Sequence, residues 1–197
     1  SALLIAPTGA GKTLAGFLPS LIALDAARPS ARCGLSTLYI SPLKALTVDI
    51  ARNLSAPVEE MGLAIRIETR TGDTPASRRQ RQRRDPPDIL LTTPEQIALM
   101  LSGSDAGHLF AGVARVIIDE LHALAPGKRG DLLALGLQRL RRLAPGLTVT
   151  GLSATVRDPA ALARWLGGAG GEPARIITPV AGAAAPPHLA MLGTEGE

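Results

Sequence analysis

The chain has 197 residues, 46% of them hydrophobic, and a formal net charge of +4. That length and composition suit one folded domain with a real core and exclude a disordered chain. No apolar run is long enough to span a bilayer, so no membrane partner is expected. The single cysteine, Cys33, excludes an internal disulfide and fits a reducing compartment, so a cytoplasmic location is expected.

The apolar run at 2–6 reads as a buried strand and is followed by a glycine-containing loop and an amphipathic helix at 13–26. Further along, strands are expected at 36–40, 65–69, 88–92, 114–118, 147–152 and 174–178, and helices at 42–54, 75–84, 94–101, 130–143 and 159–166. This alternation predicts an α/β fold with a mainly parallel sheet covered on both faces. With aromatic residues at only 2%, its core must be built from Leu, Ile, Val and Ala, and the lone Trp165 is expected in it. After Leu166 the chain becomes rich in Gly, Ala and Pro, as in Gly167–Gly171 and Ala181–Pro187. Residues 1–166 are therefore expected to form the main unit, and 167–197 a linker with one short strand. The chain opens almost inside its first strand, which suggests a piece of something longer.

Residues 6–13 read Ala-Pro-Thr-Gly-Ala-Gly-Lys-Thr. Strand, glycine loop, Lys-Thr and helix, in that order, give a phosphate-loop pattern the context of a site. Gly9 and Gly11 let the backbone wrap closely around phosphate oxygens. The N–H groups of Thr8, Gly9, Ala10, Gly11, Lys12 and Thr13, with the start of the helix, favour an anion. Lys12 is suited to the β- and γ-phosphates of ATP, and the Thr13 hydroxyl to Mg²⁺. One departure is visible: Ala6 stands where such loops usually have their first glycine.

Three junctions, Ser41-Pro42, Thr74-Pro75 and Thr93-Pro94, fall between an expected strand and an expected helix. Ser or Thr suits the N-cap and Pro the first helical position. Helix N-termini would then gather at the carboxyl ends of the strands, where open parallel sheets bind ligands. The same dipeptide also serves ordinary helix initiation, so both readings stand.

The strand Val116-Ile117-Ile118 ends in Asp119-Glu120-Leu121-His122. At a strand tip opposite Thr13, Asp119 is suited to hold Mg²⁺, and Glu120 to orient or deprotonate an attacking water. His122 is expected to link this segment to the end of the next strand, where Ser153 and Thr155 offer hydroxyls. Three scattered histidines and one cysteine make a zinc site a poor alternative.

Together these runs resemble the first motor domain of a superfamily 2 helicase. Residues 6–13 resemble motif I, Ser41-Pro42-Leu43-Lys44-Ala45-Leu46 motif Ia, and Thr71-Gly72-Asp73 the contact motif between Ia and Ib. Thr92-Thr93-Pro94-Glu95 resembles Ib, Asp119-Glu120-Leu121-His122 the DExH form of motif II, and Ser153-Ala154-Thr155 motif III. Tyr39–Leu46, Thr71–Pro75, Pro86–Glu95 and Lys128-Arg129-Gly130 are similar to the large helicase-related (Lhr) group. Segment 78–95 is similar to the ligase-associated DExH helicases of the bacterial DNA-damage response.

The resemblance implies a P-loop NTPase with a RecA-like three-layer sandwich, driven by ATP and Mg²⁺ along nucleic acid. DNA, as a single strand or tailed duplex, is the expected track, with RNA or an RNA–DNA hybrid as the alternative. It assigns Lys12, Asp119 and Glu120 to hydrolysis, and Ser41, Pro42, Lys44, Thr71, Gly72, Asp73, Thr92, Thr93 and Pro94 to the strand backbone. Arg52, on the expected helix after Ser41-Pro42, is placed to join them, with a plain surface charge as the other reading for it and for Lys44. The resemblance further implies a second motor domain of the same protein, carrying transition-state arginines, and a DNA-repair ligase as a partner. A nucleotide-gated binding module without motor action remains the reading from a different class. The cluster Arg78–Arg84 holds five arginines in seven residues. They wrap around a helix instead of lining one side, so a solvated surface helix is expected there.

Overall fold

The computed structural model describes residues 1–27 and 34–179. Cys33 and the stretch Ala181–Pro187 lie outside the described residues. In chain order the elements are β1 (Ala2–Ile5), α1 (Lys12–Ala26), β2 (Thr37–Ile40), α2 (Lys44–Glu60), β3 (Ile67–Arg70), α3 (Ala76–Arg84), β4 (Ile89–Thr92) and α4 (Pro94–Ser102). They continue with α5 (Ala106–Phe110), β5 (Arg115–Ile118), α6 (Leu121–Leu124), α7 (Lys128–Leu143), β6 (Thr148–Ser153), α8 (Pro159–Gly167) and β7 (Arg175–Ile177).

The strands form one sheet in the order β3-β4-β2-β5-β6-β1-β7. Every pairing is parallel, so the mainly parallel sheet expected is wholly so. The central strands are continuous apolar runs because both of their faces are covered. On one face Phe17, Leu21 and Leu24 of α1 and Leu54 and Val58 of α2 pack over Tyr39, Ile89, Leu91, Ile117 and Leu152. On the other, α4, α7 and α8 send Ile97, Met100, Leu133, Leu137, Leu140 and Leu166 against Leu38, Ile40, Leu90, Val116 and Ile118. The result is the three-layer sandwich. Trp165 is only half-buried and packs against the margin of this second cluster.

Every expected strand is present, and most helix positions agree. The helix expected at 42–54 instead runs Lys44–Glu60. Its start is delayed because Leu43 is extended, at φ −120° and ψ 130°. Its end is delayed because Val58 carries the apolar stripe one more turn into the core, and the helix tolerates Pro57 to do so. Two short helices, α5 and α6, were not expected; neither is long enough to show a period in sequence.

The Ser/Thr-Pro junctions separate into different structures. Thr93-Pro94 is a true helix start, with Thr93 at the N-cap and Pro94 in the first turn. At Thr74-Pro75 the cap position falls on Pro75, and the Thr74 hydroxyl accepts from the Thr71 N–H at 2.9 Å, closing the Thr71-Gly72-Asp73 turn. At Ser41-Pro42 the helix begins three residues after Ser41. All three still lie beyond the carboxyl ends of their strands, which is where they matter.

Candidate functional site

β1 and β6 pair side by side, and the Ala6 N–H extends that pairing to Ser153 O at 3.2 Å. The chain then leaves the sheet through residues 7–11. Gly9 and Gly11 both take positive φ, 82° and 75°, which an L side chain would resist. Ala6 is not among the positive-φ residues, so a methyl group is admissible where such loops usually carry glycine. The α1 helix begins directly at Lys12, and no side chain caps its first N–H groups. Those donors and the helix dipole therefore remain available to an anion. The Lys12 Nζ donates to Ala6 O at 2.7 Å and to Pro7 O at 2.8 Å, tying the head of the helix to the root of the loop.

A cavity of about 390 Å³ opens on this loop. Thr8, Gly9, Gly11, Lys12 and Thr13 form one side, Asp119 and Glu120 another, and Phe17, Ile50, Asn53 and Leu54 the wall between α1 and α2. The structure thus brings together the two halves of the site expected from sequence. Ala10 belongs to the loop without lining the cavity. The α2 wall was not expected: Asn53 and Leu54 carry no local motif, and only the tertiary packing of α2 places them there.

Asp119 sits just past the end of β5, and its N–H donates to Ile40 O at 2.8 Å. The residue is almost buried, at 7% exposure. One carboxylate oxygen accepts from the Glu120 N–H at 2.9 Å, and the other from the Tyr39 hydroxyl. Burial, and then the charge of Asp119, push the Tyr39 phenol far above its ordinary value, so it remains a donor. Tyr39 was missed as a site residue because, in sequence, it is one more member of an apolar strand.

Glu120 adopts φ 46° and ψ 42°, the one positive φ outside glycine among the described residues. This turn sends the chain straight from β5 into α6. His122 then lies between Glu120 and β6: its Nε2 is 3.4 Å from Glu120 Oε2, and its Nδ1 is 3.3 Å from Ser153 Oγ. The expected link to the next strand is present, with one correction. Thr155 is exposed, and the second contact from this strand end comes instead from the Ala154 N–H, 3.4 Å from Nδ1. The chain turns outward after Ser153, so the Thr155 side chain faces solvent. No group of three or more His, Cys, Asp or Glu side chains capable of holding a metal occurs among the described residues.

The residues assigned to the strand backbone divide by burial. Lys44, Gly72 and Asp73 are exposed at the carboxyl edge of the sheet, and Lys44 Nζ meets both Asp73 oxygens at 3.1 Å. Ser41, Thr71, Thr92, Thr93 and Pro94 are buried, and Pro42 is half-buried. The Thr92 hydroxyl donates to Arg70 O at 2.7 Å, pinning β4 to β3. These buried residues shape the edge more than they present side chains to it. Arg52 is set apart from the rest. It lies eight residues along α2 from Lys44, about 12 Å away, in a groove with Glu59, Glu68 and Arg78 on the flank of the sheet.

The arginine-rich helix α3 is a surface element, as expected, and it is fastened down. Arg81 and Arg78 reach Glu68 of β3 at 2.6 and 3.5 Å, and Arg83 reaches Asp105 at 3.4 Å. Another pair of sequence features meets at the start of α7. Arg129 bonds both Glu95 oxygens, at 2.5 and 3.1 Å, joining Lys128-Arg129-Gly130 to Thr92-Thr93-Pro94-Glu95.

Residues 1–162 match the family model of the DEAD/DEAH box helicases. The Lhr helicase/uracil glycosylase of Escherichia coli (strain K12) is 46% identical over 197 residues, covering 91% of this chain and 13% of that protein. The ATP-dependent helicase Lhr-Core of Methanocaldococcus jannaschii is 41% identical over 180 residues, covering 85% of this chain and 21% of that protein. The solved structure of Mycobacterium smegmatis helicase Lhr bound to ssDNA and AMP-PNP superposes with a TM-score of 0.80 at 44% identity, over 91% of this chain and 24% of that one. The DEAD-box helicase Mss116, at 19% identity and a TM-score of 0.78, shares the fold. The chain thus spans 13–24% of the length of these Lhr proteins. No helix among the described residues is long and apolar enough to cross a membrane. With the family model covering most of its length, the chain belongs to the DEAD/DEAH box helicase family.

Proposed function

We propose that this chain is the ATP-binding motor unit of an ATP-dependent nucleic-acid helicase or translocase, with DNA as its track. One observation carries the reading: the phosphate loop and the Asp119-Glu120 pair face each other across one cavity at the carboxyl edge of a parallel sheet. The motor unit comprises residues 1–166 together with β7, which joins its sheet beside β1. The stretch beyond leads towards a second motor domain.

In this reading the loop N–H groups and Lys12 bind the phosphates. The Thr13 hydroxyl and the Asp119 carboxylate suit Mg²⁺, which favours hard oxygen ligands and is typically held by one or two carboxylates together with substrate phosphates. The ion would supply charge neutralisation for the phosphates. Glu120, partly exposed in the cavity, orients and accepts a proton from the attacking water. His122 carries the state of Glu120 to Ser153 and the end of β6. Lys44, Gly72 and Asp73 offer an edge for the sugar–phosphate backbone, and the buried Ser41, Thr71, Thr92, Thr93 and Pro94 hold that edge in shape. The second motor domain would bring the arginines that stabilise transition-state charge. A DNA-repair ligase as partner rests on the sequence resemblance alone.

The test is ATP turnover by the full-length protein with and without single-stranded DNA or RNA, alongside strand separation of a tailed duplex. Turnover stimulated by DNA, with unwinding, is expected. Nucleotide binding without stimulated turnover would support the binding-module alternative, and stimulation by RNA alone would reassign the track. Glu120→Gln should retain ATP binding and abolish turnover; near-normal turnover would remove Glu120 from its role.

A further inference from the structure

We infer that Tyr39 is a positioning residue for the candidate metal-binding carboxylate of Asp119, its phenol O–H fixing the orientation in which that carboxylate receives a divalent cation. The inference rests on the reading of Asp119 given above.

Tyr39 is the single tyrosine of the chain and is completely buried in β2, between β4 and β5. Its neighbours in the middle of the sheet, Leu38, Ile40, Leu90, Leu91, Val116, Ile117 and Ile118, are all aliphatic. A buried hydroxyl is costly unless it is paired, and this one is paired with Asp119. Packing alone would be served by phenylalanine. The ring stacks on Phe17 of α1, with centroids 5.0 Å apart and planes 19° from parallel, and that contact needs no hydroxyl.

The hydrogen bond acts on the one torsion that matters. Register places Tyr39 opposite Ile117 and Ile40 opposite Ile118, so Asp119 lies one strand across and two residues further on. The Glu120 N–H holds one carboxylate oxygen from its own backbone, and Tyr39 holds the other from the neighbouring strand. Two anchors on different elements leave the carboxylate plane no freedom to swing away. Phe17 extends the arrangement to the phosphate loop. It lies four residues after Thr13, and hence on the same side of α1, so the Phe17–Tyr39 stack also sets the spacing between Thr13 and Asp119.

The test compares Tyr39→Phe and Asp119→Asn in the full-length protein, by binding of a fluorescent non-hydrolysable ATP analogue across a Mg²⁺ titration and again in EDTA. Tyr39→Phe should raise the Mg²⁺ midpoint about tenfold, the scale seen when a partner that orients a metal ligand is removed. Metal-free nucleotide binding should stay at the wild-type level. A shift for Asp119→Asn with none for Tyr39→Phe would overturn the positioning role while leaving the reading of Asp119 intact. Equal loss of nucleotide affinity with and without Mg²⁺ would show that the hydroxyl serves packing, and would also overturn it. No effect of Asp119→Asn on the Mg²⁺ dependence would overturn both readings.

Discussion

Glu120 Oε2 and His122 Nε2 lie 3.4 Å apart, with the other nitrogen of the same ring turned to the end of β6. Because the Ala154 N–H donates to Nδ1, that nitrogen is an acceptor, and a neutral ring carries its proton on Nε2, facing Glu120. The contact therefore needs no protonated histidine. His122→Ala should leave nucleotide binding unchanged and reduce strand separation about tenfold more than ATP turnover, a typical size for coupling between sites. Parallel ATPase and unwinding assays measure the ratio, and equal losses would count against coupling through this ring.

Lys12 has two roles, since its ammonium ties Ala6 O and Pro7 O and also faces the cavity. Lys12→Ala should weaken ATP binding by at least tenfold. It should also speed amide exchange across residues 6–11 with no nucleotide added, because the loop loses both ties. Hydrogen exchange with mass spectrometry reads this separately from activity.

At the carboxyl edge of the sheet, Asp73 partly neutralises Lys44, and both side chains are exposed. Such a pair adds little stability, so its effect should fall on binding. Lys44→Ala should weaken single-strand binding and lower the slope of log affinity against log salt by about one. Asp73→Asn should do the opposite, freeing the ammonium for phosphate and tightening binding at low salt. Fluorescence anisotropy at several salt concentrations distinguishes the two.

Glu68 predicts a response to acid. Burial alone would raise its carboxyl, but hydrogen bonds from Arg81 and Gln82 and the charges of Arg81 and Arg78 outweigh burial and hold it below its ordinary value. A carboxyl lowered in the folded state adds stability above its unfolded value, and loses it as pH falls towards the folded one. Glu68→Gln should therefore cost about 1 kcal/mol at pH 7, the half-exposed arginines being screened by water. It should cost less at pH 3. Urea unfolding at both pH values checks the sign.

Gly130 explains part of the Lys128-Arg129-Gly130 signal. A Cβ there would collide with the backbone carbonyl oxygens of Leu124 and Ala125, at the end of the helix that carries His122. Gly130→Ala should cost about 2–3 kcal/mol, as overpacking does, and should reduce unwinding more than nucleotide binding. Thermal unfolding and the paired assays of the His122 variant test both parts.

Strands such as β1, β2, β4 and β5 were legible because they are short, mostly apolar runs between turn residues, and the phosphate loop and Asp119-Glu120 because their chemistry is local in sequence. What stayed hidden depends on contacts across the fold. Tyr39 is eighty residues from Asp119, and its hydroxyl gains meaning only through the β2–β5 register. Asn53 reaches the cavity only because α2 packs beside α1. The end of α2 at Glu60, beyond the expected 54, is set by Val58 filling the core, a contact across the fold. Arg52 shared a helix with Lys44, and sequence could not show that the helix runs away from the edge.

The left-handed turn at Glu120 sets chemistry against robustness. A glutamate there forgoes about 1 kcal/mol that glycine, and in part asparagine, would recover. Either substitution would also delete the carboxylate that lines the cavity and that the proposed mechanism assigns to the attacking water. A library selected only for heat resistance should thus enrich inactive variants at this position, and selection for unwinding should restore the less comfortable residue.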